Sequence, residues 1–445
     1  METKKEVLFL GWASRGRDID IDMPIMYFFE KVLKWKVTHI TIFNLPKILK
    51  IKPDIVFMTN TTGGVRQVEI ARLVKKSGFK FFSHVSEGMF RKNAIEEFVW
   101  GWNNPESGMN ETLSMLWSKK SLDLALLHYP ETKNIFRFSG AVGFDKYKIL
   151  KHKAIEKKNY KKVIGYAAFD FHNIILKKER LISEHGQKVY DNLMSLLDLS
   201  SEILNKLVCN NPDILFLIKS HPGDGEGTFP LEIEQLDKKD NLLVLEKETG
   251  IVDAIGNSDI WLNINSSTNL EAWLMNKPSI SFLTDNKRFS SDVLFGSLTE
   301  DRYELIQEYI DEYYSTGLIR EFENKKSTRK KLISDYIGFS DGFNHVRLMS
   351  FLKKYVEGTQ DVKLNNIWQI SLSWRIKSYL QHLLYTFSSG KFNFPFFKKW
   401  SEYYAIYNRD EFKKTKNKYY TDMNNFYKLH DAKIKDIYEN FYKES

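Results

Sequence analysis

Two short stretches hold most of the side chains that could do chemistry in this 445-residue sequence. The first, Leu217-Ile218-Lys219-Ser220-His221-Pro222-Gly223, sets an ammonium and an imidazole two residues apart. The second, Asn265-Ser266-Ser267-Thr268-Asn269-Leu270-Glu271-Ala272, places three hydroxyls in a row ahead of a carboxylate. Each follows an apolar run, Ile214 to Ile218 and Ile260 to Ile264, of the kind that forms a buried parallel strand. Ligands of open α/β sheets bind beyond the carboxyl ends of such strands. Thr268 and Glu271 have the spacing of a capping box, so a helix is expected to open there. Its unpaired N–H groups suit a phosphate, and Ser266, Ser267 and Thr268 add hydroxyl donors. On neighbouring strand ends, Lys219, His221 and Pro222 would face those hydroxyls and form a phosphate cradle. His221 could then protonate or hydrogen-bond a departing phosphate oxygen, unless His-Pro is simply a turn. Glu271 either closes the capping box or reaches a ribose.

Carboxylates form a second set. Ser86-Glu87-Gly88 follows the strand-like run Phe79 to Val85. At a strand end, Glu87 could act as general base toward a hydroxyl; it could equally cap the next helix or pair with Arg91. His84 is expected to be a packed histidine rather than a support for Glu87. Asp18, Asp20 and Asp22 alternate, and strand-like spacing would put all three on one side. No companion ligands turn that run into a cation site, so no metal is expected. Arg17, Asp18, Asp20 and Asp145 stand as candidate contacts to donor or acceptor. Cys-x-x-Cys and His-x-x-x-His spacings do not occur.

The elements that must position these groups alternate. Val7 to Leu10, Val37 to Phe43, Ile55 to Met58 and Phe79 to Val85 read as strands, with helices at Ile25 to Leu33 and Arg66 to Lys76. This implies a doubly wound parallel sheet over residues 1–150. The first strand is followed by Gly11-Trp12-Ala13-Ser14-Arg15-Gly16, not a dinucleotide fingerprint. Lys151 to Lys162 is basic and poor in apolar clusters, which marks a linker. A second alternating block runs over 161–340: strands at Val163 to Ala167, Ile214 to Ile218, Leu242 to Leu245, Ile260 to Ile264 and Ser279 to Leu283. Its helices lie near Tyr190 to Val208, Glu300 to Tyr314 and Arg320 to Tyr336. A helix over 341–360 would cross back to the first block, and 361–445 forms a helical extension.

Taken together and in order, Ser86-Glu87-Gly88, His221-Pro222 and Ser266-Ser267-Thr268 resemble the acidic-Gly, His-Pro and Ser-Ser/Thr motifs of bacterial sialyltransferases and Kdo-transferase-type enzymes. The chain also looks like bacterial surface-carbohydrate biosynthesis proteins. That likeness is carried by Arg17-Asp18-Ile19-Asp20, Trp100-Gly101, Ser139-Gly140-Ala141-Val142-Gly143-Phe144-Asp145 and Gly338-Phe339-Ser340-Asp341-Gly342. It spans roughly residues 5–350. The resemblance implies a GT-B fold, two Rossmann-like domains facing a cleft, and a glycosyltransferase of capsule or lipopolysaccharide synthesis. It implies no cofactor beyond a CMP-linked donor of a Kdo or sialic-acid-like sugar, with a glycan or lipid-linked acceptor. It also implies that Glu87 is the base and that His221, with Lys219, Ser266, Ser267 and Thr268, holds the donor phosphate. The chain departs from the pattern at Ser86, where a second acid belongs. A UDP- or GDP-sugar transferase, a CDP-glycerol or ribitol-phosphate transferase and a non-catalytic scaffold remain the alternatives.

Composition sets outer bounds. The length suits two domains with an extension, and the single cysteine, Cys209, excludes an internal disulfide and fits a reducing, cytoplasmic setting. No apolar run reaches the ~18 residues of a spanning helix. The net charge is +9, and residues 361–445 hold 15 Lys and Arg against 9 Asp and Glu. Trp368, Trp374, Tyr379, Tyr385, Phe392, Phe394, Phe396, Phe397, Trp400, Tyr403, Tyr404 and Tyr407 share this region. Basic and aromatic together suit the anionic inner face of a membrane; packing onto the body is the competing reading, and nucleic acid is not expected.

Overall fold

The structure is a computed structural model. It describes residues 5–12, 14, 16–42, 44, 51–59, 61, 64–88, 109–157, 159–221, 229–236, 239–246, 249–283, 292–357, 372, 376, 379, 380 and 409–444. Pro222, Arg91, Trp100-Gly101 and, apart from Tyr379, the aromatics between Trp368 and Tyr407 lie outside the described residues.

The chain divides into two units, residues 1–150 with 334–445, and residues 151–333. In the first unit, β1 (Glu6–Gly11), β2 (Lys36–Thr41), β3 (Ile55–Thr59), β4 (Lys80–His84), β5 (Leu113–Leu116) and β6 (Phe136–Phe138) form one sheet in the order β2-β1-β3-β4-β5-β6. In the second, β7 (Lys162–Ala167), β8 (Ile214–Lys219), β9 (Leu242–Leu245), β10 (Ile260–Asn263), β11 (Ser279–Phe282) and β12 (Leu298–Glu300) run β12-β11-β10-β7-β8-β9. Every pairing among these strands is parallel. Strand order reverses between β1 and β3 in one sheet and between β7 and β10 in the other, and such switch points open ligand crevices. The apolar runs make these strands because both sheet faces are covered: β3 is buried at all five positions.

The helices include α1 (Arg17–Tyr27), α2 (Val65–Lys76), α3 (Lys119–His128), α4 (Phe171–Leu176), α5 (Gln187–Asn210), α6 (Thr268–Leu274), α7 (Asn344–Glu357) and α8 (Arg409–Glu444). α1 corrects two expectations. It begins eight residues before Ile25 and passes into a π-helical turn at Phe28–Val32. It also turns the alternating aspartates into a helix, so Asp18 and Asp22 share a face and Asp20 points elsewhere. The helix expected over Arg320 to Tyr336 is two, Arg320–Asn324 and Lys326–Ile337.

α7 and α8 belong to the first unit, where Val346, Leu348, Met349, Leu352, Phe412, Tyr419, Met423, Phe426, Ile434 and Tyr438 join Phe9, Ile21, Ile25 and Phe57 in one core. Within the extension, α8, with a kink at His430, therefore packs as core rather than standing apart. Asp145 fixes α7. Its Oδ1 accepts the Asn344 N–H at 3.1 Å, and its Oδ2 accepts the His345 N–H and faces His345 Nδ1, both at 2.8 Å. A carboxylate 199 residues away thus caps the helix N-terminus. Gly140 has φ 89°, and a Cβ there would fall 1.9 Å from Asn344 Oδ1. With the Ala141 N–H donating to the Ile337 carbonyl at 2.9 Å, the 139–145 and 338–342 motifs serve the docking of α7.

Candidate functional site

In the first unit, the chain leaving β1 enters the first turn of α1, and the chain leaving β4 runs through Ser86, Glu87 and Gly88. These two segments meet. The Ser86 hydroxyl donates to Asp18, and Arg17 Nη1 lies 3.0 Å from Glu87 Oε1. Gly88 permits the approach of the second segment to the scaffold, since a Cβ there would sit 2.3 Å from the Trp117 ring. Trp117 in turn donates its indole N–H to the Val85 carbonyl at 2.6 Å.

The three aspartates have three fates. Asp22 is buried; it accepts from the Thr59 hydroxyl at 2.7 Å and faces His39 Nε2 at 3.3 Å. Asp20 pairs with Lys146 at 2.8 Å and accepts from the Tyr419 hydroxyl. Asp18 is half-buried beside the strand ends. Its pKa is pushed up to about 6, first by burial and then by the Asp22 charge; Ser86 and Arg17 oppose the rise, and Glu87 adds to it. A carboxylate so poised takes up and gives up protons near neutrality.

Glu87 is different. Its side chain is 74 % exposed and Arg17's is 48 %, so their ion pair is solvated and contributes little. Asp145, expected as a ligand contact, is buried and engaged in capping α7. His84 is fully buried against the Gly140 carbonyl at 3.0 Å, and burial lowers its pKa to about 4, so it is neutral at pH 7. The packed reading of His84 is the one the geometry fits.

In the second unit, β7 lies between β8 and β10. The His-Pro and Ser-Ser-Thr segments are therefore not on neighbouring strand ends, as the sequence suggested. Beyond β8, His221 Nδ1 lies 3.5 Å from Asp170 Oδ1, and Asp170 also accepts from Asn173 Nδ2 at 2.8 Å. Asp170 precedes α4 at the carboxyl end of β7, so the switch-point strand supplies the carboxylate facing His221. Beneath it, Glu232 accepts from the Tyr166 hydroxyl at 3.0 Å and the Phe169 N–H at 2.7 Å.

Beyond β10, the capping box does not form. Ser267 is the N-cap without a side-chain cap hydrogen bond, and the Thr268 hydroxyl accepts from the Trp261 indole at 3.0 Å. Ser266 Oγ accepts the Thr268 N–H at 3.2 Å. The loop is instead held from below. Asn263, Asn269 and Ser281, all fully buried, bond one another: Asn263 Nδ2 donates to Asn269 Oδ1 at 2.7 Å, and Asn269 Nδ2 to Ser281 Oγ at 3.0 Å. Asn263 Oδ1 then accepts the Ser266 N–H at 3.2 Å. Asn265 between them has φ 40°, a left-handed conformation costing about 1 kcal/mol, which this network holds in place. α6 has only seven residues, so the hydroxyls rather than a helix terminus are what the loop offers.

Asp170, Asn263, Asn269, Ser281, Thr59 and His39 escaped the sequence reading. Asn263 and Asn269 sit inside the Ser-Ser-Thr stretch or next to it, and an asparagine closing an apolar strand was the available signal. Among the described residues, no group of His, Cys, Asp and Glu could hold a metal ion.

No protein-family model and no curated protein matches the chain. Solved structures do. S. aureus MnaA in a co-structure with UDP superposes with a TM-score of 0.54 at 14% identity, covering 80% of this chain and 97% of that one. A UDP-N-acetylglucosamine 2-epimerase gives 0.54 at 13% identity, covering 82% and 100%. The Neisseria meningitidis UDP-GlcNAc 2-epimerase bound to UDP-GlcNAc gives 0.50 at 13%, covering 79% and 100%. The fold is α/β of the GT-B type, with two Rossmann-like units and a C-terminal helix.

Proposed function

We propose that the chain is a glycosyltransferase of bacterial surface polysaccharide that takes a nucleotide-sugar donor on its second unit and uses Asp18 as the base. The observation that carries this is Asp18, half-buried against Ser86 with its proton affinity raised toward neutrality. Ser86 occupies the place where the resembling transferases keep a second acid, and Asp18 brings a carboxylate to it from α1. Asp18 accepts the proton of an acceptor hydroxyl as that oxygen bonds the anomeric carbon. The bond from that carbon to the donor phosphate breaks, and the nucleotide leaves. Lys219, His221 and the hydroxyls of Ser266, Ser267 and Thr268 receive its charge. Glu87, so exposed beside Arg17, is placed as an acceptor contact instead of the base.

UDP is the expected nucleotide, because structures of the same fold carry UDP or a UDP-sugar. Spacing favours it too: two interstrand steps separate β8 from β10 by about 10 Å. A diphosphate spans that more readily than the monophosphate of a CMP-linked Kdo or sialic-acid-like donor, the second reading, which rests on the ordered motifs. A thermal-shift panel of UDP, UMP, CMP, CDP and GDP tests this, since a ligand of the folded state raises the melting temperature. UDP should give the largest shift, and His221→Ala should weaken UDP affinity about tenfold, the worth of one phosphate hydrogen bond. A panel led by CMP would reinstate the acidic-sugar donor, and one without response would remove the nucleotide site. Incubation with UDP-GlcNAc and no acceptor separates transfer from epimerisation: a transferase leaves the sugar's C2 configuration intact.

We also propose attachment to an anionic membrane surface. Residues 362–401 contain six Lys and Arg and no Asp or Glu. Leu372, Ile376, Tyr379 and Leu380, at the spacing of one helix face, are helical and exposed. Among the described residues no helix is long and apolar enough to cross a membrane. Cosedimentation with phosphatidylglycerol vesicles should fall at least about fivefold in a Leu372→Ser, Ile376→Ser, Leu380→Ser variant, and fall for the native protein as salt rises. Undiminished binding by the triple variant would remove the proposal.

A further inference from the structure

α8 touches the first turn of α1 and its surroundings at three points. The Tyr419 hydroxyl donates to Asp20. Phe412 stacks on His39 with centroids 4.3 Å apart and planes 29° apart, and His39 is the imidazole that faces Asp22. Ser14, in the segment joining β1 to α1, donates to Glu411. These contacts bracket Asp18 along the chain: Ser14 is four residues before it, Asp20 is two residues on, and Asp22 is on the same helical face one turn on. Farther along, Lys416 pairs with Glu30 at 2.7 Å, and the Tyr27 hydroxyl donates to Asn424 at 2.7 Å, so α8 follows α1 along its length.

We propose that α8 is part of the machinery of the first unit's site, with Tyr419 and Phe412 as positioning residues that hold Asp18 in its half-buried place through Asp20 and through the His39–Asp22 pair. The inference rests on the assignment of Asp18 as the proton acceptor. It makes the C-terminal helix a component of the chemistry, in contrast to a tail that the reaction could lose. Without the Tyr419 hydroxyl, Asp20 keeps its ion pair with Lys146 and loses its tie to α8. With a smaller residue at 412, His39 loses the ring that closes its far side. In either case the first turn of α1 gains freedom, and the Asp18 carboxylate can relax into water.

The test needs no substrate. In the full chain, the melting temperature is measured at about pH 4.5 and 7.5 for the native protein, Asp18→Asn, and the same substitution in Tyr419→Phe and Phe412→Leu backgrounds, a double-mutant cycle. In the native background Asp18→Asn should raise the melting temperature more at the higher pH, where the carboxylate is charged. That pH-dependent gain should shrink by at least half in both α8 backgrounds. It should stay whole with Leu429→Ala, a control on the same helix whose side chain is 79 % exposed. A simply structural role for Tyr419 and Phe412 would lower every melting temperature and leave the gain unchanged; that result in both backgrounds overturns the proposal. Absence of the gain in the native background overturns the Asp18 assignment itself, and the two failures are told apart by this one measurement.

Discussion

Asp18→Asn is expected to abolish turnover and raise stability at once. Loss of a general base lowers the rate by about 10²–10⁴-fold. Nucleotide affinity should persist, because the phosphate-binding candidates belong to the other unit. The stability change follows from linkage. The folded pKa of Asp18 is raised from 3.8 to about 6, so the native state disfavours the charged form. The penalty is absent below pH 3.8, grows as the pH rises through that interval and is complete above about 6. At one pKa unit per 1.36 kcal/mol, removing it stabilises the folded protein by up to about 3 kcal/mol at pH 7.5. Denaturant titrations of both proteins across pH 4 to 7.5 check the sign, and turnover with a nucleotide-sugar donor checks the rate. Glu87→Gln is the companion measurement, with a loss under about tenfold for an exposed contact. A native-like Asp18→Asn rate beside a dead Glu87→Gln would return the base to Glu87.

Asp145→Ala should be the most damaging substitution for the fold. It leaves two N–H groups at the start of α7 and the Nδ1 side of a buried imidazole without their carboxylate. His345 is also tied to the Tyr427 hydroxyl at 2.9 Å, whose proton burial holds well past the usual phenol range. Breaking one partner of such a buried cluster costs about 3–5 kcal/mol, a large share of a net stability of roughly 5–15. Calorimetry should show the transition of the unit containing β1 to β6 falling well below that of the unit containing β7 to β12. Asp145→Asn, which keeps the shape and one acceptor, should land between. Melting of the alanine variant within about 2 °C of native would show that Asp145 does not hold α7.

The parallel strands were legible because both faces are covered, which leaves uninterrupted apolar runs such as Val7 to Leu10 and Ile214 to Ile218. α1 was not. Ile19, Ile21, Met23 and Ile25 alternate with Asp18, Asp20 and Asp22 at a period of two, the signature of a strand. A helix normally betrays itself by a polar face, but α1 is buried almost all round, Asp22 included, so no 3.6-residue period remains. The short strands Leu113–Leu116 and Phe136–Phe138 were missed for want of length. At the site, His221 and the Ser-Ser-Thr loop were visible as types in sequence. Their separation by β7 was not, because strand order is a property of the sheet. The pairing of Asp18 with Ser86, like that of Asp145 with α7, joins distant segments that no spacing rule connects.

The first unit is made from the two ends of the described chain, with the second unit inserted between them. During synthesis the ribosome delivers residue 150 long before α7 and α8 exist. At roughly 5–20 residues per second, the remaining 295 residues take about 15–60 s. For that interval the face of α1 that α8 will cover has no partner, while residues 151–333 can already close their own core. The nascent protein should therefore bind chaperones through its early half and acquire protease resistance first in its middle. A stop codon anywhere in α8 would release a chain whose inserted unit is sound and whose outer unit never closes.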